Sequence, residues 1–170
     1  KYVGSKKPDD DFPSYEVEVN RLASSQVNLG KFLPADEPAA LAPDTYSFDV
    51  GIEDLSYEFQ FSIKASDTNS DVQARLSRLI TNANIGMSAQ VIDDGKGGSA
   101  LRMESDATGL KEGKKMQFLI SDQRTSKTAG VVDYLGLDYI ASPASNASFL
   151  VNGEEHSSTT NHYTLDHTYE

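Results

Sequence analysis

The sequence predicts an α+β protein rich in strands, with one main amphipathic helix packed on antiparallel strands and a second, smaller β unit. Three observations carry this prediction. Tyr57, Phe59, Phe61 and Ile63 alternate with Glu58, Gln60, Ser62 and Lys64, the two-residue period of a strand with one buried face. Val72, Leu76, Leu79, Ile80 and Ala83 then fall on one helical stripe, while Gln73, Arg75, Ser77, Arg78, Thr81 and Asn82 fill the other face. Met87, Ala89 and Val91 alternate again, Asp94 to Gly98 reads as a hairpin turn, and Leu101 and Met103 begin a return strand. A helix with a single apolar stripe is not stable alone in water, so it packs across those strands.

Taken in order, residues 1–13 read as a linker, with Lys6, Lys7 and Pro8 ahead of three aspartates and Pro13 at its close. Tyr15, Val17 and Val19 alternate with Glu16 and Glu18, a half-exposed strand with an acidic outer face. Residues 22–44 hold Leu22, Val27, Leu29, Phe32 and Leu33, but Gly30, Pro34, Pro38 and Pro43 interrupt them, so the stretch reads as a connection between packing units. Tyr46, Phe48, Val50 and Ile52 form the next strand, and a tight turn at Asp54-Leu55 folds it against the strand at 57–63.

The helix is expected over residues 69–84. Thr68 caps it with Asp71 three positions on, and Gly86 supplies a left-handed stop. Residues 106–115 are polar and turn-like, and Met116, Phe118 and Ile120 make a strand. Thr128 to Leu135 form a short helix ended by Gly136. Residues 141–146 cross back, Phe149 and Val151 lead into an Asn152-Gly153 turn, and Tyr163 and Leu165 give a last strand. This ordering predicts an inserted α+β module over 41–140. Residues 14–30 and 144–170 together form a discontinuous β-rich base unit.

The net charge of −11 and pI near 4.6 argue against nucleic acid, because binding a phosphate backbone requires clustered Lys and Arg. There is no cysteine, which excludes disulfides and thiolate metal sites. No apolar run is long enough to span a bilayer, so no membrane partner is expected. The chain begins at Lys1, which reads as a fragment of a longer protein.

Several groupings invite a chemical reading. His156, His162 and His167 lie close together near carboxylates, and imidazole with carboxylate suits zinc, but their spacing of six and five matches neither a helix face nor a strand face. Asp67, Asn69 and Asp71 match the first half of a calcium loop, yet its glycine position holds Val72 and its closing glutamate position holds Arg78. Gly95, Gly97, Gly98 and Ser99 look like a phosphate cradle without the Walker spacing, joining two strands instead of opening a helix. Asn146-Ala147-Ser148 is a glycosylation sequon. No nucleophile elbow or His-Glu-x-x-His appears, and no catalytic, cofactor or metal residue is assigned.

Three patches resemble the flagellar hook-associated protein 2, or filament cap protein, family. Ser14 to Val19 with Leu22 to Gln26 is similar to that family's "SYSIEVTQLAQAQ" stretch. Ile80 to Ala83, Gly86 to Val91, Asp94-Gly95 and Leu101 to Gly109 resemble its strand–helix–strand element. Asn146 to Gly153 followed by Asn161 resembles the flagellin hook "IN" motif. The three occur in the family's order, with Met87 in place of valine, Asn161-His162-Tyr163 in place of Asn-Thr-Val, and a long Pro-rich connection at 34–43.

The resemblance implies an extracellular, non-enzymatic assembly protein of the bacterial flagellum, exported by the type III route without a cleaved signal peptide. Implied partners are flagellin, other hook-associated proteins and, in the full-length protein, further copies of itself. This chain has no long heptad run, so it corresponds to the head region. The alternatives are an adhesin-like surface module or hypervariable flagellin domain contacting a host glycan or protein, and a secreted hydrolase. From the pattern alone, Leu76→Asp is expected to unfold the module and Arg75→Asp to be tolerated.

Overall fold

The computed structural model describes residues 14–124 and 129–165, so the linker expected over 1–13, the helix start at Thr128, and residues 166–170 lie outside the described residues. In chain order the strands and helices are β1 (Val17–Arg21), β2 (Ser25–Leu29), β3 (Leu33–Pro34), β4 (Asp44–Ile52), β5 (Leu55–Ile63), α1 (Asn69–Asn82), β6 (Met87–Asp93), β7 (Gly98–Thr108), β8 (Phe118–Asp122), α2 (Val131–Leu135), β9 (Ile140–Ser142), β10 (Ala147–Val151) and β11 (Glu154–Ser158). The protein is β-rich with one main helix, as its alternating patterns predict.

Three antiparallel sheets result. One has the order β5-β4-β8 and one β1-β10-β11, while the largest runs β3-β7-β2-β9 with β6 also paired to β7. The β4–β5 hairpin keeps an unbroken register from Asp44↔Ile63 to Ile52↔Leu55 around a turn at Glu53 and Asp54, and its inner face buries Tyr46, Phe48, Val50, Phe59, Phe61 and Ile63. Phe48 stacks on Phe59 at 5.2 Å and meets Phe61 edge-on at 6.5 Å, the two arrangements that the ring quadrupole favours.

The α1 helix starts as expected. The Thr68 hydroxyl accepts from Asp71 N and the Asp71 carboxylate accepts from Thr68 N, a complete capping box. Its other end differs: the helix closes at Asn82 with Ala83 in the right-handed region, and Asn84 at φ 51° is the first left-handed residue, ahead of Gly86. The stripe is narrower than predicted, since Val72, Leu76 and Ile80 are fully buried, Leu79 is half-buried and Ala83 is exposed. Gln73, expected on the polar face, is completely buried. Its amide donates to Ser99 O at 2.9 Å and accepts the Ser99 hydroxyl at 2.6 Å, which satisfies a side chain that is otherwise costly to bury.

The stretch read as a mere connection contains β2, a central strand that pairs with β7 on one side and β9 on the other. Its inward positions are Gln26 and Asn28 whereas Val27 and Leu29 are only half-buried, so the apolar alternation points the wrong way and conceals the strand. Of residues 14–30, β1 alone pairs with the C-terminal strands, and 25–29 hydrogen-bond into the large sheet.

Two more expectations shift. β7 runs on to Thr108 instead of turning at Asp106, and the next strand starts at Phe118, leaving Met116 outside it. The Asn152-Gly153 turn, with both residues at positive φ, leads directly into β11, so the last strand among the described residues is Glu154–Ser158 and Tyr163 lies beyond it. That strand has no apolar alternation because it is an edge, held through its backbone to β10.

Among the described residues the buried apolar side chains form two separate clusters. The large one lies between α1, α2, the β5-β4-β8 sheet and the largest sheet, and includes Phe48, Leu76, Leu101, Phe118 and Leu135. The small one consists of Ala23, Ala147, Phe149 and Val151, with Tyr15 and Leu165 packed against it.

Candidate functional site

Among the described residues, the members of each grouping that invited a chemical reading are engaged by the fold. The Asp67 carboxylate accepts two bonds from the Arg75 guanidinium, both at 2.9 Å, and one from Lys64 N at 2.7 Å. Arg75 is the main reason that its pKa is held down at about 2, and the Lys64 amide adds to the effect. Asn69 donates to Pro34 O at 2.9 Å and accepts the Tyr134 hydroxyl at 2.6 Å. Asp71 completes the capping box begun by Thr68, its own pKa lowered by the Thr68 amide and hydroxyl. The three oxygen donors of the calcium-like pattern thus anchor the start of α1 and face three different partners. Arg75, at which aspartate was expected to be tolerated, instead joins the helix to buried Asp67 and donates to Ser62 O at 2.6 Å, so a carboxylate there would face Asp67.

In the glycine loop, the Asp94 carboxylate accepts Lys96 N and Gly98 N while Asp93 accepts Gly95 N. These amides close a turn, so they are not turned outward as a phosphate cradle requires. His156 stacks on Phe149 at 5.8 Å and meets the Tyr163 hydroxyl at 3.3 Å through Nδ1, whereas His162 sits in a turn whose carbonyl accepts from Ser158 and Thr160. Among the described residues no three His, Asp or Glu side chains gather as a metal site, and His167 lies outside them. The sequon asparagine, Asn146, uses its Oδ1 to accept Leu110 N at 2.6 Å.

What remains is surface. β1 exposes its apolar positions, contrary to the expected buried face: Val17 is 53% and Val19 58% exposed, and Leu22 beyond it 63%. With Phe149, Tyr163 and Leu165 they line an open apolar groove on the β1-β10-β11 sheet. The strand's alternation is real, but a three-stranded sheet offers too little structure to cover both valines. No described helix is long and apolar enough to cross a membrane.

Sequence reasoning missed one polar constellation altogether. Gln26 Oε1 accepts Gln117 N at 2.8 Å and Phe118 N at 3.3 Å, while its amide nitrogen donates to Phe118 O and to Asn28 Oδ1. Asn28 in turn donates to Leu137 O at 2.9 Å. This buried chain of amides ties the large sheet to β8 and to the end of α2. Its only trace in the sequence is a pair of amides at alternate positions of an apolar strand.

No protein-family model and no curated protein matches the chain. Solved structures do. The chain is similar to the D2-D3 domains of the flagellar cap protein FliD from Serratia marcescens, with a TM-score of 0.65 and 21% identity over 91% of this chain and 82% of that one. It is similar to the D1-D2-D3 domains of the Escherichia coli flagellar cap protein FliD, with a TM-score of 0.58 and 20% identity, covering 89% of this chain but only 44% of that chain. FliD (HAP2) from Pseudomonas aeruginosa PAO1 matches with a TM-score of 0.57 and 23% identity over 86% of this chain and 66% of that one. The chain therefore shares its fold with the D2-D3 domains of flagellar cap proteins.

Proposed function

We propose that this chain is the structural head region of a flagellar filament cap protein, exposed at the filament tip and helping flagellin subunits assemble there. The observation that carries the reading is the fold likeness across 86–91% of the chain to cap proteins from E. coli, S. marcescens, P. aeruginosa and Bdellovibrio bacteriovorus. Three sequence patches in the family's order support it independently. On this reading the protein works by packing and surface shape and has no acid, base or nucleophile. The engagement of Asp67, Asn69, Asp71 and His156 in structural contacts agrees with that.

The same reading places the protein outside the cell on the flagellum, delivered by type III export, with flagellin, other hook-associated proteins and further copies of the full-length protein as partners. It divides the chain into a base unit of 14–30 and 144–170 and an inserted module of 41–140. Separate apolar clusters support two units, although β2 shares the module's sheet.

An in-frame deletion of this region in the bacterium that encodes it tests the proposal. The cap reading expects flagellin to appear as monomer in the medium and filaments to be lost. Filaments of normal length and number, with only attachment to host glycan or protein impaired, overturn it in favour of an adhesin.

A further inference from the structure

We propose that the small sheet is hinged to the rest of the protein where residues 21–25 and 142–147 cross, and that the turn Thr108-Gly109-Leu110 is a latch fixing its orientation. The inference rests on the two-unit reading and extends it from a division of the chain to a moving joint. Three features lead to it.

The two apolar clusters share no member, and the small one is assembled from the strands next to both described ends, with Tyr15 and Leu165 packed on it. The large body is therefore carried through whatever joins the clusters. At the crossing, Ser24 N donates to Ser145 O at 2.8 Å, Ser145 N to Ser24 O at 3.2 Å, and the two hydroxyls meet at 2.9 Å. Such a narrow two-stranded ribbon, whose buried apolar side chains are only the alanines Ala23, Ala144 and Ala147, twists easily. A small polar joint between separate cores makes relative motion the default.

One further element bridges the joint. Thr108 Oγ1 donates to Thr159 O at 2.8 Å, Gly109 N to Ser24 O at 2.9 Å, and Leu110 N to Asn146 Oδ1 at 2.6 Å. Gly109 adopts φ +70°, and a Cβ there would stand 2.5 Å from Thr159 O and 2.7 Å from Asn146 Oδ1. The turn thus presses against the small sheet with no room for a side chain. Its three bonds reach both faces of the crossing.

The absence of cysteine makes the test direct. Glu155→Cys on exposed β11 and Arg78→Cys on the exposed face of α1 take spin labels, and pulsed dipolar spectroscopy reads the distance between the two bodies in the whole chain. A single narrow distribution is expected for the labelled parent. Adding Asn146→Ala with Thr108→Ala, which only delete latch bonds, broadens it about twofold, and Gly109→Val shifts its mean. Amide exchange in α1 and β10 should keep the parent's rates, showing that both cores persist. A double variant whose distribution superimposes on the parent's, or a parent already as broad as the variant, overturns the latch. Because Gly109→Val can fail to fold, the two alanine substitutions decide the matter alone. The experiment uses the isolated chain, so its failure leaves the cellular test of the cap reading untouched.

Discussion

Replacing Asp67 by asparagine tests whether the start of α1 is held by charge. Asp67 is 6% exposed, and both its oxygens accept from Arg75 while Oδ2 also accepts from Lys64 N. Its pKa falls from 3.8 to about 2 on folding. A carboxyl lowered in the folded state contributes stability above its unfolded value, and that contribution is lost as pH falls through the folded value. The displacement corresponds to about 2 kcal/mol at neutral pH, at roughly 1.4 kcal/mol per pH unit, and most of it is lost by pH 2. Urea titrations followed by circular dichroism, run on parent and Asp67→Asn across that range, read the difference directly. The gap between the two proteins should be about 2 kcal/mol near pH 7 and shrink steeply between about pH 4 and pH 2. A gap that does not change with pH would refute the charge argument and leave only the shape of the side chain as the cause.

Other expectations concern the cores and the amide clamps. Leu76→Ala, at a completely buried position of α1, should cost about 3 kcal/mol in denaturant unfolding, whereas Arg78→Asp on the exposed face should stay within about 0.5 kcal/mol. Gln26→Leu strands the amides of Gln117 and Phe118 and should cost about 2 kcal/mol, with hydrogen exchange accelerated first at those two positions. Asn161→Ala removes both bonds that this side chain makes to the Ala23 backbone, at 2.7 and 3.2 Å. It should lower stability by about 1 kcal/mol, with exchange rising in β1 and β10 and unchanged in α1.

Where side chains alone choose a face, the sequence was readable. The β4–β5 hairpin, the capping box at Thr68 and the Asn152-Gly153 turn follow from local chemistry acting within a few residues. Where long-range partners decide, it was not. Gln26 and Asn28 point into the protein because the N–H groups of 117 and 118 and the carbonyls of 118 and 137 meet them there, and nothing within ten residues of β2 announces those partners. β11 forms on a backbone ladder that no side-chain period reports, and β1 keeps its alternation while the small sheet leaves its valines uncovered. The candidate ligands failed for a related reason. Asp67, Asn69 and Asp71 cluster in sequence because a helix start needs several short polar side chains at once, the same residue types that a cation needs.

That coincidence bears on where any binding surface can lie. Among the described residues, no buried side-chain polar atom lacks a hydrogen-bond partner. A buried polar group that already has its partners loses them when it turns to a ligand, and that loss offsets the bond gained. Gln26, Asn28, Asn69 and Gln73 therefore specify how sheets and helices meet, and each of their polar atoms already has a partner. Recognition is left to groups that face water on loops already fixed from within: the Glu53-Asp54 turn tied to Lys111 and Lys114, the Asp93 to Gly98 loop closed on its own aspartates, and the turn after β10. Such loops can change their outward residues without disturbing the amides beneath them. One fold can thus persist at about 20% identity between this chain and the E. coli structure.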